Sequence, residues 1–260
     1  MPAREGAQVR YAARVEYDGT GFAGFQVQPG RRTVQGEIEA ALSRIAGGRP
    51  VRIDAAGRTD AGVHASGQVI AFDWPNGGPA ADRLAPGLDA LLPTDVAVHG
   101  LRRVPGAWRP RSAARYRDYR YTVWNGPRSP LRERTALGVR DPLDVAAMAA
   151  AAQVLVGRHD FSAFGGSHRQ PVRTLHAVRI RRVGRTVTID VRGQAFLRQM
   201  VRSLVAALLR VGRGEATAGD LSAALAGSGR AFSGAVAPAH GLCLRRVALG
   251  RTLGVRSGAW

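Results

Sequence analysis

Two strand-like runs, residues 174–183 and 186–192, are separated only by Gly184-Arg185. A connection of two residues cannot hold a crossover, so these runs pair as an antiparallel hairpin. The rest of the chain interleaves similar strands with short helices. Val9, Tyr11, Ala13, Val15 and Tyr17 alternate along a half-buried strand that ends in the turn Asp18-Gly19-Thr20-Gly21. Thr33 opens a helix with Val34, Ile38, Ala41, Leu42 and Ile45 on one face, stopped by Gly47-Gly48. Strands follow at 51–55, 67–74 and 96–104, with a polar loop at 56–66 and, at 75–87, a Pro/Gly/Ala-rich loop with room for one helical turn. A second half has a strand at 116–125, a helix at 144–155, the hairpin, helices at 195–211 and 219–226, and a strand at 241–248. This order favours an α+β fold with antiparallel sheets over a doubly wound parallel sheet. The expected halves are 1–107 and 108–260.

Charge narrows the partner. The formal net charge is +19, and all 38 basic residues are arginine, against 19 acidic ones. GC-rich coding accounts for arginine over lysine, but not for the twofold excess of base over acid. Clusters fall at Arg31-Arg32, Arg102-Arg103, Arg109 to Arg120, Arg179 to Arg185 and Arg245-Arg246. Planar guanidinium groups grip phosphates and stack on bases, so a nucleic acid is the expected partner. A single cysteine, Cys243, rules out an internal disulfide and any cysteine-based zinc cluster. The six histidines are scattered, which gives a metal site no support. No apolar run approaches the length of a membrane span, and residues 1–10 have no apolar core of a secretion signal. The expectation is a soluble cytoplasmic protein.

The densest functional pattern is Gly57-Arg58-Thr59-Asp60-Ala61-Gly62-Val63-His64-Ala65, placed between two strands. Glycines permit close backbone approach to a ligand. A carboxylate beside an arginine is a nucleophile, a base or one half of an ion pair, and composition alone leaves these open.

This loop closely resembles the active-site loop of the tRNA pseudouridine synthase A family. Further matches run in the same order. They include Tyr17-Asp18-Gly19-Thr20, Gly24-Phe25-Gln26, Gln28, Thr33-Val34-Gln35-Gly36, Gly67-Gln68-Val69, Leu92-Pro93 and Asp95. Arg117, Tyr119, Tyr121, His159-Asp160-Phe161, Phe164 and Arg173-Thr174 continue the series, which ends in Phe196-Leu197, Met200-Val201-Arg202 and Ala237-Pro238-Ala239-x-Gly241-Leu242. The resemblance spans roughly residues 11–247. Departures are Asp89 for a usual Asn, Trp108 and Ser112 for usual Phe, and Ala206 for a usual Gly.

The resemblance implies two ferredoxin-like halves sharing a central antiparallel sheet, with a basic cleft. It implies isomerisation of uridine to pseudouridine in the tRNA anticodon stem-loop, at nucleotides 38, 39 and 40, with no cofactor or metal. It also implies a homodimer, with one tRNA touching both subunits. The nucleophile falls on Asp60, adding to uracil C6 or to ribose C1′. Desolvation under a base disfavours an ionised carboxylate and a nearby cation favours it. The resemblance gives that role to Arg202, as an ion pair to Asp60. Tyr119 stacks on the base and assists proton transfer. Tyr121 lies on the same strand face, so periodicity does not separate the two. Arg58 holds the target nucleotide out of the stack, and Leu242 also contacts the substrate.

Helical spacing over 195–211 sets Phe196, Met200, Leu204, Leu208 and Val211 on one side and Arg198, Arg202 and Arg213 on another. Three arginines on one strip repel unless an anion lies opposite. His64 reads as a hydrogen-bonded loop residue, and Asp18 and Asp54 as turn and strand-end residues. One rival is a synthase of the same fold with another RNA target. Another is a non-catalytic RNA-binding protein, disfavoured because Asp60, Tyr119 and Arg202 are all present.

Overall fold

The computed structural model describes residues 8–75, 78–165, 169–227, 232 and 234–250. The fold is α+β, and its strands pair almost entirely antiparallel. The chain forms two compact units. One comprises Met1–Arg115 and Leu244–Trp260, the other Tyr116–Cys243. Residues 108–115 thus belong with the first unit. There the Trp108 carbonyl accepts from Arg10 (2.7 Å), and the Gly250 amide donates to the Ala113 carbonyl (2.8 Å).

In the first unit β1 (Val9–Tyr17) lies between β3 (His64–Trp74) and β4 (Val96–Val104), with β2 (Ile53–Ala55) on the far side of β3. On the alternating face of β1 Tyr11, Ala13, Val15 and Tyr17 are buried as expected and Val9 is half-buried, but Arg10 and Ala12 on the opposite face are buried too. Arg10 is tolerated there because its fork is neutralised. It donates to Asp73 (2.7 Å), pairs with Asp54, and spends Nε on the Trp108 carbonyl. A buried charge needs such partners. Thr33 caps α1 (Val34–Ile45) by accepting from the Gly36 amide at 3.2 Å. Glu39 of α1 is buried at 6 % exposure, accepting from the Ile53 amide (3.0 Å), Arg52 (2.6 Å) and Gln35 (2.8 Å). It ties helix to strand just ahead of the polar loop.

Residues 75–87, expected to be a loop with room for one helical turn, include most of a three-turn helix, α2 (Ala81–Leu91). Pro86 and Gly87 sit inside it and together disfavour a helix by about 4 kcal/mol. Leu84 and Leu88, one turn apart and each 1 % exposed, offset this. Full burial of two leucines contributes roughly 3–6 kcal/mol. Local composition was therefore a poor guide, because packing decided.

In the second unit the order is β5 (Ala114–Asn125, its first two residues in the first unit), β9 (Thr186–Gly193), β8 (Val172–Val183) and β7 (Gly157–Asp160). Val183 pairs with Thr186 across Gly184-Arg185, as the two-residue connection requires. β6 (Leu137–Val139) adds to β5 in parallel. β6 and β7 are too short for a periodic signal, and the sequence reading assigns no strand at either. The short helix α3 (Pro110–Ala113) precedes β5. Asp144 caps α4 (Val145–Ala151), which tightens into a 3-10 turn, Ala152–Leu155. α5 (Met200–Gly212) and α6 (Ala218–Leu225) follow, and β10 (Leu242–Leu249) carries the chain from the second unit back into the first.

The helix expected over 195–211 starts only at Met200. Gln199 adopts φ 60°, a left-handed conformation that interrupts any helix from Phe196. The expected strip of three arginines is therefore not formed. Arg198 precedes the helix and is exposed, Arg202 lies in its first turn and is half-buried, and Arg213 caps its end. Among the described residues no helix is long and apolar enough to cross a membrane.

Candidate active site

Asp60 sits in the loop between β2 and β3, half-buried. The loop is anchored at its entrance by Gln68 of β3, fully buried, whose amide donates to the Gly57 carbonyl at 2.9 Å. The Ala56 amide donates to the Val69 carbonyl at 2.9 Å. Past Asp60 the chain turns back sharply, with the Val63 amide donating to the Asp60 carbonyl at 3.2 Å. Arg58, two residues before Asp60, is exposed.

The residues just after β1 clamp this loop. The Phe25 amide donates to the Thr59 carbonyl (3.1 Å), and the Gly62 amide donates to the Phe22 carbonyl (3.3 Å). These two bonds bracket Asp60. The Tyr17 and Thr59 hydroxyls are hydrogen-bonded at 2.7 Å, in a site where Thr59 is 7 % exposed. Two glycines make the approach possible. Gly24 has φ +104°, and a Cβ there would lie 3.0 Å from the Thr59 carbonyl oxygen. A Cβ on Gly19 would lie 2.1 Å from the Val63 carbonyl oxygen, a distance no side chain tolerates. The Gly19 amide also donates to His64 Nδ1 at 3.0 Å. Asp18 Oδ1 is 3.2 Å from the same nitrogen. A nitrogen accepting from Gly19 has no proton for Asp18, so we read His64 as a structural link between the two segments. Asp18 caps the 3-10 turn Gly19–Gly21 by accepting from the Thr20 amide at 3.0 Å.

The remaining expected residues lie on regular elements of the second unit. Tyr119 stands on β5, 9 % exposed, with Phe196 packed edge-on at 5.1 Å between centroids. The left-handed Gln199 frees Phe196 from the helix ahead of this contact. Tyr121, two residues along the same face, is fully buried and donates to the Pro238 carbonyl at 2.9 Å. Burial pushes its phenol well above the ordinary range, and the charge of Arg202 works against that shift. Arg202 Nε donates to the Ala237 carbonyl at 2.6 Å, and the Ala237 amide donates to the Arg202 carbonyl at 3.2 Å. Leu242 begins β10 and is 4 % exposed. Arg58 and Asp60 thus share one loop in the first unit, while Tyr119, Arg202 and Leu242 belong to the second.

A comparison with known proteins bears directly on this arrangement. The family model for tRNA pseudouridine synthase matches residues 13–111 and 151–248. The chain belongs to that family. A tRNA pseudouridine synthase A of Shouchella clausii (strain KSM-K16) is 43 % identical over 94 % of this chain and 95 % of its own length. One of Thermotoga neapolitana (strain ATCC 49049 / DSM 4359 / NBRC 107923 / NS-E) is 43 % identical over 92 % and 98 %. One of Geotalea uraniireducens (strain Rf4) is 42 % identical over 90 % and 96 %. Among solved structures, a Cbf5–Nop10–Gar1 complex is similar over 91 % of this chain and 58 % of that chain, at 10 % identity and a TM-score of 0.34, too distant to bear on the site.

Membership of the pseudouridine synthase family makes the chain an isomerase. Arg58, Asp60, Arg202 and Leu242 fall within the matched segments, whereas Tyr119 lies between them. The sequence flagged the segment from Tyr17 to Gln28 as a motif without giving it work. The structure supplies that work, since these residues hold the Asp60 loop. The burial of Gln68, matched only as part of Gly67-Gln68-Val69, and of Glu39 left no mark, because a polar residue on a strand or helix does not announce that it is buried. Several arginines of the basic clusters are already engaged. Arg120 meets Asp190 at 2.7 and 3.0 Å, and Arg32 meets Asp95 at 2.7 and 2.9 Å. Among the described residues no group of three His, Cys, Asp or Glu side chains could hold a metal ion.

Proposed function

We propose that this chain isomerises uridine to pseudouridine in the anticodon stem-loop of tRNA, at nucleotides 38, 39 and 40, with Asp60 as nucleophile. The carboxylate adds to uracil C6 or to ribose C1′, and the N1–C1′ bond breaks. The base turns and C5 bonds to C1′. The C5 hydrogen leaves to solvent and N1 takes a proton, so the composition of the RNA is unchanged. Arg58 keeps the target nucleotide out of the stack, because a base inside a duplex cannot be reached. Tyr119 stacks on the extruded base, Leu242 packs against it, and Arg202 supplies the charge that keeps Asp60 ionised. The same reading takes the chain as a cytoplasmic homodimer.

The observation that carries this reading is the double clamp on the Asp60 loop. Backbone hydrogen bonds from Phe25 and to Phe22 fix the chain on both sides of one carboxylate. An ion pair on a turn has no need of such positioning, whereas a nucleophile does.

The test is Asp60→Asn. It keeps size and shape and removes the charge. The expected variant melts like the parent and binds tRNA, yet releases no tritium from tRNA labelled at uracil C5. A variant that releases tritium at near the parent rate would remove Asp60 from the chemistry.

A further inference from the structure

Next to the Asp60 loop, wholly within the first unit, lies a cavity of about 330 Å³. That is within the range of small-ligand sites, about 300–1,000 Å³. Its apolar wall is Phe25, Ile53 and Pro110, and its charged wall is Arg58, Arg109 and Arg111. Gly57 and Arg58 contribute to it, so it begins two residues from Asp60.

The charge balance of this cavity points to an anion. Asp54 also lines it, and it shares the single charge of the buried Arg10 with Asp73, so one negative charge of that trio is left over. Gln35 is spent as well, accepting from the Val27 amide (3.1 Å) and donating to Glu39 (2.8 Å). Arg58 and Arg111 have no ion-pair partner among the described residues, and Arg109 donates only to the carbonyls of Gly106 (2.6 Å) and Trp108 (3.0 Å). Three arginines therefore line the cavity against the one negative charge left over from the Arg10 trio, an excess that favours an anion.

The shape adds a second requirement. Phe25, Ile53 and Pro110 are buried, Phe25 at 2 % exposure and Ile53 at 7 %, so the apolar wall is a narrow strip at the edge of the core, against which a flat ring can pack and a simple anion gains nothing. Gln26 also lines the cavity, and its amide makes no hydrogen bond among the described residues. A primary amide offers a donor and an acceptor side by side, the pattern that reads a base edge. Guanidinium forks, an apolar wall and an uncommitted amide fit one nucleotide, with phosphate, ring and edge each matched.

We infer that this cavity holds a second nucleotide of the RNA, an immediate neighbour of the target uridine along the strand. Its phosphate lies against Arg109 and Arg111, and its base lies on the Phe25–Pro110 wall with its edge on Gln26. Arg58 then stands between the two nucleotides, with one side on the target and the other on its neighbour. The inference rests on RNA being the substrate, as proposed above. It gives the exposed Arg58, which lines the cavity, a partner on each side. Seating the neighbour fixes the strand on one side of the flipped base.

The test couples protein and RNA changes. RNA stem-loops carrying the target uridine are made with one nucleotide at a time abasic, and their affinity for the full chain is measured by fluorescence anisotropy. Loss of one stacked base is expected to weaken binding roughly ten- to a hundredfold. With the parent protein, one of the two nucleotides flanking the target should show that loss, and more distant positions should not. With Gln26→Ala, and separately with Arg109→Ala/Arg111→Ala, the same abasic change should cost less than about threefold, because the contact is already gone. Thermal melts of both variants check that they fold. Losses that add fully in both variants, or that are equal at flanking and distant positions, overturn the inference. So does saturation of the cavity by inorganic phosphate without competition against RNA, which marks a plain anion site. Tritium release on the intact stem-loop is followed in parallel. If it proceeds while coupling is absent, only the second-nucleotide site falls. If no RNA is ever isomerised while coupling is present, the catalytic reading falls and the site stands.

Discussion

Between β2 and β3, Asp60 rides on irregular chain whose shape is imposed by another stretch of irregular chain, residues 18–25. In the second unit, Tyr119 and Arg202 stand on a strand and on the first turn of a helix, where ladders and helical hydrogen bonds already fix the backbone. The first arrangement depends on individual carbonyls, amides and glycines, each with a specific partner. The second depends on packing, such as the Tyr119–Phe196 contact at 5.1 Å, and on single pins such as Arg202 to Ala237 at 2.6 Å. The difference sets where the molecule is fragile. A small backbone shift should disable the first region, whereas the second should yield only when a functional side chain is itself removed.

The largest effect expected from the second region is therefore that of Arg202→Met. It keeps the apolar stem and deletes the charge. Removing one group that stabilises charge in a catalytic site lowers turnover by roughly 10²–10³-fold. Single-turnover rates on tRNA, with affinity measured separately, check this. Rates within a few-fold of the parent would leave Arg202 as a structural residue and erase the contrast between side-chain and backbone control.

The first region is tested by Gly19→Ala, which touches no functional side chain. The new Cβ meets the Val63 carbonyl at 2.1 Å, so backbone must move by about 1 Å to accept it. Overpacking of this kind destabilises by about 1–3 kcal/mol. A misplacement near 1 Å at a catalytic group lowers turnover about a hundredfold. Gly30→Ala is the control. Gly30 has φ +67°, yet a Cβ there meets nothing within 4 Å. It should lower stability by about 1–2 kcal/mol through the left-handed backbone alone, with turnover intact. Equal turnover losses in the two variants would mean that the clamp has no special bearing on Asp60.

The same contrast explains how far the sequence was legible. Long periodic strands such as β1, and the hairpin of β8 and β9, followed from alternation and from a two-residue connection. The Asp60 loop was visible because its residues are unusual together. What was hidden depended on distant partners. α2 was masked by Pro86 and Gly87, because the burial of Leu84 and Leu88 leaves no local mark. The start of α5 was misplaced by one left-handed residue, Gln199, and with it went the apparent strip of arginines. Arg10 reads as one more surface arginine until Asp54, Asp73 and Trp108 are brought to it. The clamp from Gly19 and Gly24 was hidden for the same reason, since its partners lie some forty residues away along the chain.

The smallest effect expected concerns Tyr121, which separates packing from catalysis in the second region. Its hydroxyl is fully buried and donates to the Pro238 carbonyl, so Tyr121→Phe removes one hydrogen bond and leaves one carbonyl to find another partner. Such a change lowers stability by about 1 kcal/mol. The pH dependence adds a sharper signature. Burial raises the phenol above its ordinary range in the folded chain, while in the unfolded chain it ionises near pH 10. The folded state then holds the proton that the unfolded state releases. Stability is accordingly fully present below about pH 10 and declines as pH rises through the interval up to the folded-state value. Tyr121→Phe abolishes that part of the decline, so the parent and variant curves of stability against pH should converge above pH 10. Urea melts at pH 8 and at increasing alkaline pH measure both quantities. Turnover at pH 8 should stay within a few-fold of the parent, since Tyr119 and not its strand neighbour is assigned to the base. A large turnover loss in Tyr121→Phe with stability preserved would exchange the roles of the two tyrosines, which strand periodicity never distinguished.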